Sequence, residues 1–167
     1  FYKASLAEPL SCVIGACNAN FHIPSGTYNH EMGIRIGGKL ALLAGCGPMG
    51  LAAINYIVFG PNRPSLMIVT DIDQARLDRA ASIITPERAA ANGVDLRYVN
   101  TRTPDAEQNL MDISNGDGYD DVFVFAPVAP LIAQADAILA KDACLNFFAG
   151  PSDTKFTASL NFYNVHY

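Results

Sequence analysis

Two rhythms of apolar and polar residues alternate along most of this chain. Short runs that are apolar at nearly every position fall at Leu40-Ala41-Leu42-Leu43-Ala44, Leu66-Met67-Ile68-Val69-Thr70, Val122-Phe123-Val124-Phe125-Ala126 and Leu145-Asn146-Phe147-Phe148-Ala149. A run of this kind, bounded by turn residues, predicts a strand covered on both faces. A fifth, half-exposed strand is predicted at Leu96-Arg97-Tyr98-Val99. Between the runs the apolar spacing is helical, at 49–59, 73–84, 105–113 and 130–140, with a further helical turn at 87–92. Gly60-Pro61, Thr85-Pro86 and Thr103-Pro104 mark helix ends and starts. Upstream, 7–21 reads as another helix, with Glu8 and Pro9 in its first turn.

Strands alternating with helices imply a parallel sheet joined by right-handed crossovers. The expected fold is therefore α/β, a doubly wound Rossmann-type parallel sheet of five to six strands. Residues 39–167 would form its βα core and 1–38 an N-terminal helix and linker, all in one domain. The tail from Ser152 shows no clear helical pattern, and its Phe156, Leu160, Phe162, Val165 and Tyr167 have nothing after them to cover them. A sixth strand is missing or only begun, and there is no initiator Met, so the chain reads as truncated at both ends.

One turn carries a specific chemical signal. Gly45-Cys46-Gly47-Pro48-Met49-Gly50 follows the first apolar strand directly and opens an apolar helix. In that context Gly45 allows the tight turn, Gly47 lets the backbone approach a pyrophosphate, and Gly50 allows close helix–strand packing. The helix N-terminus presents free N–H groups and a positive dipole end to phosphates. Asp71 ends the second strand about 20 residues further on, where a carboxylate can accept from both adenosine ribose hydroxyls. It would also repel a 2′-phosphate, favouring NAD(H), with NADP(H) as the second possibility. Asp71 could also cap the next helix, but Asp73 is itself an adequate cap, so the ribose role is favoured. Ile72 and Arg76 follow; Arg76 can cover the adenine, receive a 2′-phosphate, or simply occupy a solvated helix face. At the ends of the fourth and fifth strands, Ala126-Pro127 and Ala149-Gly150 should line the nicotinamide side, or be ordinary turns.

Composition narrows the function classes. A net charge of −5 argues against nucleic acid and against an anionic membrane as the main partner. No apolar run approaches the ~20 residues that span a bilayer, and the N-terminus is not a signal peptide. Cys12, Cys17, Cys46 and Cys144 form no CxxC pair, which suits reduced thiols and a cytoplasmic setting. His22, His30 and His166 read as surface or loop histidines. No nucleophile–base pair stands out, so catalytic residues are expected to lie outside this chain. Two other functions share parts of the pattern: an S-adenosylmethionine-dependent methyltransferase, and a non-catalytic nucleotide-binding module. The third glycine, Gly50, speaks against the methyltransferase.

Ala7-Glu8-Pro9-Leu10-Ser11 ahead of the glycine turn, and Val69-Thr70-Asp71-Ile72 with Arg76-Leu77, resemble the zinc-containing medium-chain dehydrogenase/reductase family, its polyol dehydrogenases in particular. The resemblance runs over essentially the whole chain. It implies a two-domain, zinc-dependent oxidoreductase interconverting a ketose phosphate and a polyol phosphate, with this chain as the cofactor half. It further implies a separate catalytic domain with most of the zinc ligands, and a possible homodimer paired through the sixth strand. By the same resemblance Glu8 matches a glutamate that reaches the zinc or its water. From the residues alone, Glu8 is as well explained as a negative charge at a helix N-terminus.

Overall fold

The computed structural model describes residues 3–166, the side chain of His166 excepted. After a single 3-10 turn at Ala4–Leu6, α1 spans Ala7–Ala19. Two short strands, β1 (Phe21–His22) and β2 (Glu31–Met32), pair antiparallel. The alternation then runs β3 (Lys39–Leu43), α2 (Pro48–Phe59), β4 (Leu66–Asp71), α3 (Gln74–Ile83), α4 (Pro86–Ala90) and β5 (Asp95–Asn100). It continues through α5 (Ala106–Ile113), β6 (Tyr119–Val124), α6 (Ala129–Ala137), β7 (Leu139–Phe147) and α7 (Phe162–His166). Strands β3 to β7 form one parallel sheet in the order β5-β4-β3-β6-β7. That is the doubly wound order, with the chain reversing direction across the sheet beside β3.

Along 40–43, 66–70 and 122–124 every position is buried, yet alternate residues serve different cores, as in a strand covered on both faces. Leu40, Leu42, Met67, Val69 and Phe123 face α1, α2 and α3, while Ala41, Leu43, Leu66, Ile68, Val122 and Val124 face α5 and α6. Each large aliphatic side chain fully buried in this way contributes about 1.5–3 kcal/mol. Helix α2 buries Gly50, Ala53, Ile54, Ile57 and Val58 and packs against α1 as well as the sheet, so it can be apolar nearly all round.

Three boundaries differ from the sequence reading. Helix α1 stops at Ala19 because Asn20 turns out of it to bond into the sheet, and Phe21–His22 becomes strand rather than helix. Strand β6 starts at Tyr119 and β7 at Leu139, well before their apolar runs. Polar Asp120 and Asp121, and the exposed Lys141-Asp142 pair, conceal those starts. The tail is not wholly irregular either, since it ends in α7. Among the described residues, no helix is long and apolar enough to cross a membrane.

Candidate functional site: the glycine turn and the end of β4

Strand β3 ends at Leu43, and the next residue, Ala44, takes a left-handed φ of 54°. The strained residue of the turn is therefore Ala44, and not Gly45 as the motif suggests. Ala44 N–H reaches Thr70 Oγ1 at 3.3 Å and Gly45 N–H donates to Thr70 O at 2.9 Å, tying the turn to the end of β4. Gly45 lies against Leu42 and Val69, where a Cβ would come within 2.9 and 3.0 Å of their side chains. Gly50 is tighter: a Cβ there would fall on the carbonyl of Gly45. These two glycines are needed for packing.

Gly47 differs from both. Its backbone is extended, with φ −76° and ψ 175°, and a Cβ there would meet nothing within 4 Å. It is the N-cap of α2 without a side-chain cap bond, and Pro48 follows in the first turn. The open side of Gly47 and the first free N–H groups of α2 therefore border the same space. A group with anionic oxygens fits such a cradle.

Asp71 closes β4 and is only 5% exposed. Its Oδ1 accepts from Asp73 N at 3.0 Å, and Asp73 caps α3 by accepting from Ala75 N and Arg76 N. The capping role thus belongs to Asp73. Oδ2 of Asp71 has no protein hydrogen-bond partner among the described residues. Next to it Ile72 is 58% exposed, an uncovered apolar surface at the strand end. Arg76 is largely solvated and lies 3.9 Å from Asp73. Cys46, within the turn, is close enough to feel both charges; burial, reinforced by the Asp71 charge and opposed by Arg76, pushes its thiol up to about 12. The structure therefore brings the glycine turn, Asp71 and Arg76 together.

Along the same edge, Phe125 N–H donates to Leu43 O at 3.0 Å, and Phe148 and Ala149 both donate to Val124 O. This aligns the ends of β3, β6 and β7, with Ala126, Pro127, Ala149 and Gly150 just beyond them. Half-buried Phe125 and Phe148 pack with ring centroids 4.9 Å apart beneath those turns. Neither phenylalanine stood out as a site residue, because within an apolar run it reads as core.

Glu8 lies apart from this edge in one respect: it is exposed on the first turn of α1 and accepts from Cys12 Sγ at 3.1 Å. Two donors are fewer than a tetrahedral zinc requires, and no cluster of three or more potential ligands occurs among the described residues. The residues present do not make a zinc site by themselves.

His22 corrects the expectation of a surface histidine. It is 4% exposed, and its Nε2 lies 3.0 Å from Asp121 Oδ1. The same carboxylate accepts from Asn20 Nδ2 at 2.7 Å and Arg35 N at 2.8 Å, and Asn146 Nδ2 donates to Asn20 Oδ1 at 2.9 Å. This buried network fastens the segment before β3 to β6 and β7. Partners separated by about 100 positions leave no local signal to find them by.

The fold as a whole is similar to solved structures. The chain covers 97% of its length on a protein assigned as a zinc-binding dehydrogenase from Sinorhizobium meliloti 1021 bound to NADP, with TM-score 0.72 and 15% identity over 40% of that chain. It covers 96% on 2R,3R-butanediol dehydrogenase from Bacillus subtilis, with TM-score 0.64 and 17% identity over 38% of that chain. The chain has the Rossmann fold of the zinc-type dehydrogenases. In sequence it is 54% identical over its whole length to mannitol-1-phosphate 5-dehydrogenase of Aliivibrio fischeri. It is 47% identical, again over its whole length, to L-sorbose 1-phosphate reductase of Klebsiella pneumoniae. The chain spans about 40% of the length of these curated relatives. No family model matches it.

Proposed function

We propose that this chain binds NAD(P)(H) as the cofactor-binding part of an oxidoreductase that interconverts a ketose phosphate and a polyol phosphate. The observation that carries the reading is that the turn holding the open Gly47 at the start of α2 is hydrogen-bonded, through Ala44 and Gly45, to Thr70 at the end of β4, next to the buried Asp71. The relatives named for mannitol 1-phosphate and L-sorbose 1-phosphate support the substrate class.

In this assignment the pyrophosphate takes the cradle of Gly45, Gly47, Pro48, Met49 and Gly50, held by backbone N–H groups and the helix dipole. Asp71 accepts from the adenosine ribose hydroxyls, Ile72 offers apolar surface to the adenine, and Arg76 flanks it. Ala126, Pro127, Ala149 and Gly150 border the ring that, when bound, supplies hydride chemistry. Their small side chains permit backbone contact with that ring. NAD(H) is the favoured cofactor, because a 2′-phosphate would meet the Asp71 carboxylate. Residues 39–167 form the binding unit and 1–38 the helix and linker leading into it. Glu8 is assigned to the metal side of the full enzyme, with the remaining ligands supplied outside this chain. The four free thiols support a cytoplasmic setting.

Replacing Asp71 by Ala tests the ribose role. NADH binding, followed by fluorescence titration, should weaken by about 1–3 kcal/mol, the scale for losing a charged hydrogen-bond partner. Unchanged affinity would remove Asp71 from the site.

A further inference from the structure

Thr70 has no part in the pyrophosphate or ribose assignment, yet it bonds the glycine turn twice. Its carbonyl accepts from Gly45 N–H at 2.9 Å and its Oγ1 from Ala44 N–H at 3.3 Å. The first bond is available to any residue at this position. The second needs a side-chain oxygen, and Thr70 supplies it at 0% exposure, where water does not replace a lost acceptor. Ala44 has a φ of 54°, a conformation that disfavours any residue carrying a Cβ. The side-chain bond therefore falls on the strained residue of the turn. From Ala44 the geometry passes to the cradle through contacts with little slack. Gly45 is fitted against Leu42 and Val69, which are partners in the β3–β4 ladder. Its carbonyl bounds Gly50, where a Cβ would fall on it, so the place of Gly45 sets that of the first turn of α2. Gly47, the N-cap of α2, lies between these two fixed points.

We propose that Thr70 is a positioning residue for the cofactor pyrophosphate. Its hydroxyl oxygen holds Ala44 in the left-handed conformation, and the turn so held keeps Gly47 and the start of α2 in their binding geometry. The proposal rests on the dinucleotide reading above and adds a residue that acts through the turn rather than by contact with the cofactor. It also gives three consecutive residues of β4 separate tasks. Val69 packs the turn, Thr70 fixes its backbone, and Asp71 takes the ribose.

The test is fluorescence titration with NADH, with urea unfolding alongside, of the full 167-residue chain and four variants. These are Thr70→Val, Thr70→Ser, Ala44→Gly and the double variant Thr70→Val/Ala44→Gly. Val keeps the β-branched shape but lacks the acceptor, and should weaken NADH about fivefold or more, the scale on which one hydrogen bond biases a conformation. Ser keeps the oxygen and should stay within about twofold of the native chain. Gly reaches a φ of 54° without strain, so the double variant should recover most of the lost affinity. Ala44→Gly alone should raise the urea midpoint, a readout that stands even where Thr70→Val does not fold. Native-like affinity in Thr70→Val overturns the role of Thr70, even if the urea midpoint falls. So does a Ser variant as weak as the Val variant, a double variant no better than Thr70→Val, or a lowered midpoint in Ala44→Gly. Each of these leaves the dinucleotide reading standing. A native chain that does not bind NADH overturns both.

Discussion

Gly47 and Gly50 occupy the same turn but impose different requirements. At Gly50 an added methyl would fall on the Gly45 carbonyl, backbone against backbone, with no flexible side chain to yield. Gly50→Ala is expected to destabilise the fold by about 1–3 kcal/mol, read as a lower urea midpoint. At Gly47 the methyl would enter open space, and the φ and ψ suit any residue. Gly47→Ala should therefore leave stability within about 0.5 kcal/mol and weaken NADH binding by about 1–2 kcal/mol. Equal stability losses in the two variants would contradict this division. The two roles were legible in the spacing of the glycines, since a strand–turn–helix setting gives each its place. The left-handed residue was not, because a positive φ at Ala44 is imposed by the bonds to Thr70 and leaves no mark on an alanine.

Among the elements, the buried strands β3 and β4 announce themselves because each position packs against one core or the other. Strand β7 lies at the sheet edge with Lys141 and Asp142 exposed, and β6 begins with acids whose partners are distant in sequence. Apolar runs cannot report such starts. The Asp121 network makes a testable unit of this region. Asp121→Ala would leave Asn20, His22 and the Arg35 amide without their shared acceptor in a buried place. The expected cost is at least about 3 kcal/mol, read from urea unfolding, with early proteolytic cleavage between residues 20 and 38. Cleavage and stability like those of the native chain would show that the N-terminal segment is held by something else.

At the scale of the whole molecule, burial fixes the titration of the thiols. Desolvation raises Cys17 and Cys46 from 9.0 to about 12, and raises Tyr98 and Tyr119 as well. The folded state thus holds its protons at pH values where the unfolded chain releases them. The resulting stability is fully present below pH 9 and is lost as pH climbs from 9 toward 12. The urea midpoint should fall over that interval, and Cys17 and Cys46 should resist thiol reagents at pH 8 until the protein unfolds. A midpoint that stays level to pH 11, with all four thiols reacting at once, would contradict the burial described here.

The fold class itself was readable from alternating strand and helix periods, whereas the strand order β5-β4-β3-β6-β7 came only from the structure. What the cofactor edge does depends on strand ends meeting in space, and that is what a binding measurement reports. The most direct one is titration of the chain with NADH, with ADP-ribose as competitor and S-adenosylmethionine as the alternative ligand. Saturable NADH binding displaced by ADP-ribose is the expected result. Saturable binding of S-adenosylmethionine with none of NADH would contradict the account.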